Sequence, residues 1–215
     1  MRHLIIPKTI ISITGIAVLL TTITISCSSA TDICGPLPDK FRVADFSTSV
    51  KQVTDYDPEN LTIQLSVFPG GSIQFDEFAI DMIPVIDTFF SSVPGRMNFQ
   101  FIQSAYACSP IIPVSVDTIT DIQIYSDGDF TPEYPAGENI AVFFDAYALY
   151  NNDGPERVNL PQFIAGEPLA PDQLILLLNT APVEATEMRF TVRYFQDGEI
   201  LNEYEFTTDA ITVIP

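Results

Sequence analysis

Apolar and polar residues alternate along much of the chain after residue 40, a pattern typical of strands with one buried face. The clearest example is residues 61–67, LTIQLSV, where four aliphatic residues alternate with polar ones. The turn sequence PGGS follows at residues 69–72, and the alternation resumes at Ile73 and Phe75. These features predict a hairpin across residues 69–72.

The segment after this turn fits two periodicities. Phe78, Ile80 and Met82 alternate as in a strand, provided that a bulge at Asp76-Glu77 keeps them on the face of the preceding apolar residues. The apolar residues of this segment also fit a helical spacing, but Pro84 would interrupt a helix. We therefore predict a strand.

Two further segments favour strands in the second half of the chain. Residues 114–124 alternate as one or two strands, with Asp117 and Asp121 expected on the solvent side. Residues 173–178, QLILLL, form a continuous apolar run between two prolines. A run of six residues fits a strand that is buried on both faces.

The strongest hairpin signal lies near the C-terminus. Residues 190–194 and 204–206 alternate on either side of Asp197-Gly198, a pair typical of a two-residue turn with positive φ at both positions. Residues 210–214 predict a last short strand.

One segment, residues 138–150, fits a helix better than a strand. Ile140, Phe143, Phe144 and Tyr147 are spaced as i, i+3, i+4 and i+7. Proline and glycine precede the segment, and the sequence NNDG follows it at residues 151–154.

Short strands separated by turn residues indicate an antiparallel sandwich. We predict a mainly β, immunoglobulin-like antiparallel β-sandwich with one or two short inserted helices. Residues 41–215 are expected to form a single domain.

The N-terminus has the pattern of a secretory signal. Arg2 and Lys8 precede a run of apolar and hydroxyl residues, which ends at Ser26-Cys27. We predict a lipoprotein signal peptide at residues 1–26, lipidation of Cys27 and a short extended tether at residues 27–40. The alternative is an uncleaved membrane anchor, for which this run is about long enough.

Two cysteines remain, Cys34 and Cys108. In an exported protein they are candidates for a disulfide. A bridge between them would close a long loop and stabilise the fold by about 4 kcal/mol in the loop-entropy model. The alternative is two unpaired thiols.

Charge and histidine content restrict the function. After residue 26 the chain keeps seven of its nine basic residues and all 28 acidic ones, for a net charge of −21. Such a charge disfavours nucleic acid and anionic headgroups as partners, and favours a neutral glycan, an apolar ligand, a cation or another protein. The only histidine, His3, lies in the predicted signal. Histidine-dependent catalysis and histidine-ligated metals are therefore excluded from the processed chain.

The chain also resembles a known group of proteins. Its lipobox-like start and the segments AYAC at residues 105–108 and YPAGENI at residues 134–140 look like those of uncharacterised envelope lipoproteins of Bacteroidetes-type bacteria. The resemblance implies an outer-membrane or cell-surface location. It implies no activity and no functional residues, because these families have none assigned.

Three acidic loops are candidates for calcium binding, at residues 55–60, 125–130 and 151–156. The loop at 125–130 lacks the ligand spacing of an EF-hand, and turn chemistry alone explains all three. Exposed tyrosines, namely Tyr56, Tyr134 and Tyr150, could serve as stacking platforms for a glycan. The sequence predicts no cofactor and no metal site, and leaves calcium binding by the loops open.

Three functions fit these observations. The leading one is a non-enzymatic, lipid-anchored binding or interaction module of the envelope, which would contact the membrane through Cys27 and a protein or a glycan through its body. The second is a structural or assembly component of an envelope complex. The third is a carboxylate-based glycan hydrolase, which would need two acids converging on a cleft.

Overall fold

Strands of β-structure account for most of the chain that the computed structural model describes, namely residues 38–91, 112–151 and 154–215. The strands are β1 (Lys40–Asp57), β2 (Thr62–Val67), β3 (Ser72–Gln74), β4 (Phe78–Phe89), β5 (Val114–Ser115), β6 (Thr118–Ser126), β7 (Phe144–Tyr150), β8 (Gly154–Asn159), β9 (Gln173–Leu178), β10 (Thr186–Met188), β11 (Phe190–Asp197), β12 (Glu203–Thr207) and β13 (Ile211–Ile214). Single 3-10 turns at Phe75–Glu77 and Ala141–Phe143 and one α-helix, α1 (Leu160–Ala165), complete the list. No helix among these residues is both long and apolar enough to cross a membrane.

The strands form three sheets. The largest has the order β2-β1-β4-β9-β7-β8, with β5 added in parallel to the start of β1. Two three-stranded sheets, β10-β13-β3 and β12-β11-β6, contribute to the same core. Most neighbouring strands are antiparallel, and the mainly β, sandwich-like fold expected from the sequence is confirmed.

The core lies between the large sheet and the two small ones. β9 is an inner strand of the large sheet, between β4 and β7. Leu174, Leu176 and Leu178 face this core, whereas Ile175 and Leu177 belong to a second apolar cluster on the outer face of the large sheet. β9 is therefore buried on both faces, as its continuous apolar sequence predicts.

The second cluster is covered by the β1–β2 hairpin. The Tyr147 hydroxyl on β7 donates a hydrogen bond to the carbonyl of Leu61 beside β2. The Arg157 guanidinium on β8 lies 4.5 Å from the centre of the Tyr56 ring. These contacts hold the hairpin tip over β7 and β8, where it excludes water from the outer face.

The helix predicted at residues 138–150 is wrong. Residues 141–143 form a 3-10 turn, and residues 144–150 form the inner strand β7. Phe144, Ala146 and Ala148 face the main core, whereas Tyr147 packs in the second cluster. A strand buried on both faces carries no polar alternation, and the turn before it shifts the phase of the apolar residues toward a helical spacing.

The hairpin predicted across residues 69–72 is also wrong. β2 pairs with β1, whereas β3 pairs in parallel with β13 in a small sheet. Gly70 and Gly71 both have positive φ, at 92° and 94°, a conformation that glycine adopts without strain. The chain uses this pair to leave the large sheet. A 3-10 turn at residues 75–77, instead of the expected bulge, then starts β4.

Pro84 lies within β4 without ending it. The pairing of β4 with β9 covers only residues 79–82, and beyond them β4 is paired with β1 alone. A proline is tolerated where one side of a strand has no partner. The strand predicted here is therefore confirmed.

The C-terminal hairpin, β11–β12, is confirmed, but its turn is longer than predicted. β11 ends at Asp197 and β12 begins at Glu203, and neither Asp197 nor Gly198 has positive φ. Glycine is required at position 198 for a different reason. A Cβ there would lie 2.6 Å from the Leu201 carbonyl oxygen and 2.7 Å from Gln196 Nε2.

We expect Gly198→Ala and Gly198→Asn to lower the free energy of unfolding by about 1–3 kcal/mol, since both add a Cβ in an overpacked position. Urea denaturation followed by circular dichroism measures the effect. Asparagine is the informative choice because it tolerates positive φ. An asparagine variant as stable as the wild type would restore the two-residue turn of the sequence prediction.

Candidate functional site

A cleft of about 500 Å³ lies at the end of the body where β1 begins. Four separate segments form it: the start of β1, the segment 113–115 that includes β5, the β7–β8 connection and the connection from α1 to β9. Its lining residues are Phe41, Pro113, Val114, Ser115, Tyr150, Asn151, Pro155, Glu156, Leu169, Ala170 and Asp172. We call this cavity the β1-end cleft.

Among the described residues, the lining of the β1-end cleft combines an apolar wall with two carboxylates and no basic side chain. Its apolar part comes from aromatic, aliphatic and proline residues. Glu156 is exposed at its rim, and Asp172 is half-buried. The Asn151 amide donates to Asp172 Oδ2 over 2.7 Å, which fixes this carboxylate at the start of β9. The Tyr150 hydroxyl donates to the Leu169 carbonyl over 3.2 Å.

A buried polar network lies directly behind one wall of this cleft, and Asp117 is its centre. The Asp117 side chain accepts a hydrogen bond from the Val43 amide at 2.6 Å and a longer one from Gln196 Nε2 at 3.4 Å. Its own amide donates to Ser115 Oγ over 3.1 Å, and Ser115 lines the cleft. The Ala170 amide donates to the Asp117 carbonyl. Asp117 therefore joins β1, β11 and two walls of the cleft.

Burial raises the pKa of Asp117 above its ordinary value, because a carboxylate loses its hydration there. The Val43 amide and the nearby Arg42 oppose this shift, and Glu199 and Asp197 reinforce it. The sequence prediction that Asp117 faces solvent is wrong, since only 2% of this residue is exposed. Asp121, on the same strand, is half-buried and accepts a hydrogen bond from Gln123.

Further cavities are present in the described part of the chain. One of about 550 Å³ lies between β1, the Phe68–Gly70 segment and the connection from β12 to β13, and Asp209 is its single carboxylate. Another, of about 320 Å³, lies beside Tyr56 and Arg157. Arg157 there donates to Asp145 Oδ2 from two nitrogens, at 3.1 and 3.0 Å, and is committed to that pair.

Two of the three acidic loops considered for calcium make local contacts, and in the third Asn152 and Asp153 lie outside the described residues. Asp57 accepts from the Glu59 and Asn60 amides and from the Asn60 side chain, which lowers the pKa of Asp57. Asp127 accepts from the Arg189 amide, and Asp129 from the Ala136 amide. Within the described residues, no group of three or more acidic, histidine or cysteine side chains is placed to hold a metal.

Of the tyrosines singled out in the sequence, Tyr150 lines the β1-end cleft. Tyr56 lies under Arg157, and Tyr134 packs edge-on against Phe143 with 4.8 Å between ring centres. Sequence reasoning missed most of the cleft, including Phe41 and Asp172. Cys27, Cys34 and Cys108 lie outside the residues that the structure describes.

No family model matches this chain, and no curated protein matches it.

We expect Asp117→Ala to lower the free energy of unfolding by about 1–3 kcal/mol, because it leaves the buried Val43 amide without an acceptor. Asp117→Asn keeps an acceptor and removes the charge. It should therefore alter the pH dependence of stability rather than abolish folding.

The sign of this pH dependence follows from the raised pKa. Between the ordinary pKa and the raised one, folded Asp117 keeps a proton that the unfolded chain has released. The free energy of unfolding of the wild type should thus fall relative to Asp117→Asn as pH rises from about 4 through the raised pKa, and level off above it. Urea melts from pH 4 to 8 measure this, with the exposed Asp209→Asn as control. A wild type and an Asp117→Asn variant with parallel pH profiles would contradict the raised pKa.

Proposed function

We propose that this protein is an exported lipoprotein, anchored through Cys27, that acts as a non-enzymatic binding module of the bacterial envelope. The observation that carries the binding role is the β1-end cleft. Its volume of about 500 Å³ falls in the range of small-molecule sites, and apolar walls with a few converging polar groups are typical of them.

The anchor rests on the N-terminal sequence. The basic start, the apolar run and Ser26-Cys27 have the order of a lipoprotein signal. The first residue that the structure describes, Pro38, follows Cys27 by ten intervening residues. Such a spacing leaves a short tether between the lipid and β1. A disulfide between Cys34 and Cys108 would shorten that tether further, and both thiols would be oxidised in the exported protein.

The charge of the cleft favours a cationic or neutral ligand with an apolar body. Glu156 and Asp172 are the charged groups among the described residues of its lining. Carboxylates beside aromatic rings attract organic ammonium groups, because the ring faces and the carboxylates are both negative. An anionic ligand of the same shape would be repelled.

A binding role fits the acid–base groups better than catalysis does. The acid whose pKa is raised, Asp117, lies behind the cleft wall and is bonded to the backbone. A glycan hydrolase instead needs a proton donor and a second carboxylate that both face the substrate.

The anchor predicts that the protein, expressed in a bacterium that processes lipoproteins, carries a fatty acid and partitions into detergent. Cys27→Ala should abolish labelling by a radioactive or clickable fatty acid, because it removes the modified sulfur. Cys34→Ala is the matched control and should keep the label. Fatty-acid label that survives in Cys27→Ala would contradict Cys27 as the lipidated residue.

The cleft predicts selectivity between two probes of similar shape, benzyltrimethylammonium and phenylacetate. In titrations of the Cys27→Ala protein followed by amide NMR, the cation should shift the Ser115 and Asn151 resonances at lower concentration than the anion. Glu156→Gln and Asp172→Asn should each lower the affinity for benzyltrimethylammonium about fivefold. This corresponds to about 1 kcal/mol of binding free energy for one charge near the ligand.

Asp209→Asn is the control for this experiment, since it removes one carboxylate from the other large cavity. It should leave the affinity unchanged. Equal binding of phenylacetate, or shifts confined to residues around Asp209, would contradict the assignment of the ligand site to the β1-end cleft.

A further inference from the structure

Exposed aliphatic side chains lie on the outer face of the large sheet, along β4 and β5. Ile83, Val85 and Val114 are 45%, 50% and 38% exposed. Ile83 pairs with Ser47, Val85 with Asp45 and Val114 with Lys40, which places all three on the face opposite to the main core. We call this surface the outer strip.

The β1–β2 hairpin that covers the outer face elsewhere stops short of this strip. The buried second cluster on that face comprises Ala79, Tyr147, Ile175 and Leu177. Along β4 it ends at Ala79, and the aliphatic side chains further along the same face, at Ile83 and Val85, are exposed. Among the described residues, the outer strip is therefore the aliphatic part of this sheet face that the β1–β2 hairpin leaves exposed.

The strip carries less negative charge than the strongly acidic chain as a whole. Of the seven basic residues after position 26, Lys40 and Arg42 lie at this end of β1. They pair with Phe89 and Asp87, so both occupy the outer face. Asp45 and Asp87 accompany them, so that basic and acidic residues of β1 and β4 are equal in number on the strip.

Arg42 shows how cation and apolar surface are combined on this face. Its guanidinium carbon lies 4.1 Å from the centre of the Phe89 ring, and Nη2 lies 3.0 Å from Glu199 Oε2. Long basic side chains whose stems lie along apolar surface suit an interface between hydrocarbon and water.

The outer strip lies within reach of the predicted anchor. Ten residues separate Cys27 from Pro38, and ten residues extend over at most about 36 Å. Lys40, on the strip, follows two residues later. Tethering at this distance raises the local concentration of membrane, so that a weak contact is populated.

We propose that the outer strip rests on the lipid bilayer, with its aliphatic side chains in the headgroup region and its basic side chains near phosphates. This inference rests on the proposed lipid anchor at Cys27. It places the large sheet toward the membrane and the β12-β11-β6 sheet away from it. The partner surface is a phospholipid bilayer without a large negative charge, because the protein as a whole is acidic.

The absence of tryptophan from the chain allows a direct test. Single reporters are placed by Val85→Trp on the strip and by Val183→Trp as the matched control. Val183 is 68% exposed and follows β9, whose C-terminal end pairs near Ala79, at the opposite end of β4 from Phe89. Each full-length, lipidated variant is incorporated into phosphatidylcholine vesicles with and without brominated acyl chains.

The proposal predicts that brominated lipid quenches Val85→Trp and that its emission shifts to shorter wavelength relative to the Cys27→Ala protein in solution. Val183→Trp should show neither change. Equal quenching at the two positions, or stronger quenching at Val183→Trp, would overturn the proposed orientation. So would unquenched Val85→Trp in protein that floats with the vesicles, which is the outcome expected if a protein partner covers the strip instead.

Vesicle flotation tests separately whether the protein is attached to the bilayer by its lipid anchor. Protein that fails to float would overturn the lipid anchor and, with it, the proposal that the strip rests on a bilayer. Adding Lys40→Glu, a charge reversal on the strip beside Phe89 and Val114, to the Val85→Trp protein should reduce quenching while flotation is retained. Arg193→Glu, on the sheet that faces away, should not. Equal effects of the two charge reversals would overturn the role of the basic residues on the strip.

Discussion

The fold depends on one buried carboxylate, because Asp117 lies where two irregularities of the sheets meet. The register of β1 against β4 shifts between Val43 and Asp45, and the register of β11 against β6 shifts between Phe195 and Gln196. A bulge leaves backbone groups without ladder partners. Asp117 accepts from the Val43 amide at the first shift and from the Gln196 side chain at the second. The Tyr194 hydroxyl donates to Gln196 in turn.

This arrangement explains why glycine at position 198 and an acid at position 117 belong together. Gln196 can reach both Asp117 and the Leu201 carbonyl only if the chain at Gly198 passes close to its amide nitrogen. A buried carboxylate loses hydration, which destabilises the folded state. An apolar residue at this position would instead leave the Val43 amide without a hydrogen-bond partner. The network therefore trades some stability at neutral pH for a defined register between two layers.

The sequence pattern predicted strands correctly where burial is uniform along the element. It was wrong where one segment combines a 3-10 turn with a strand. The run at residues 173–178 is apolar throughout because both faces of β9 are buried, so a strand was predicted correctly. The segment 138–150 is also buried on both faces, but a 3-10 turn at residues 141–143 changes the phase within it. Periodicity cannot separate such a composite from a helix. The prediction that Asp117 faces solvent was wrong. An alternating pattern does not reveal that this carboxylate accepts a hydrogen bond from the Val43 amide, beside the bulge of β1.

The sequence pattern did not predict the β1-end cleft or the outer strip. Strand register builds each of them from residues that are far apart in the chain. The β1-end cleft joins Phe41 to Asp172 across most of the chain, and no local pattern links these positions. Net charge is likewise a property of the whole chain. A total of −21 after residue 26 indicates repulsion from anionic surfaces, yet charge acts locally, within about 10 Å at moderate ionic strength. Because β1 is pleated, its alternate positions bring Lys40 and Arg42 to one face, where they offset Asp45 and Asp87. A strongly acidic chain can thus carry one face on which basic and acidic residues balance.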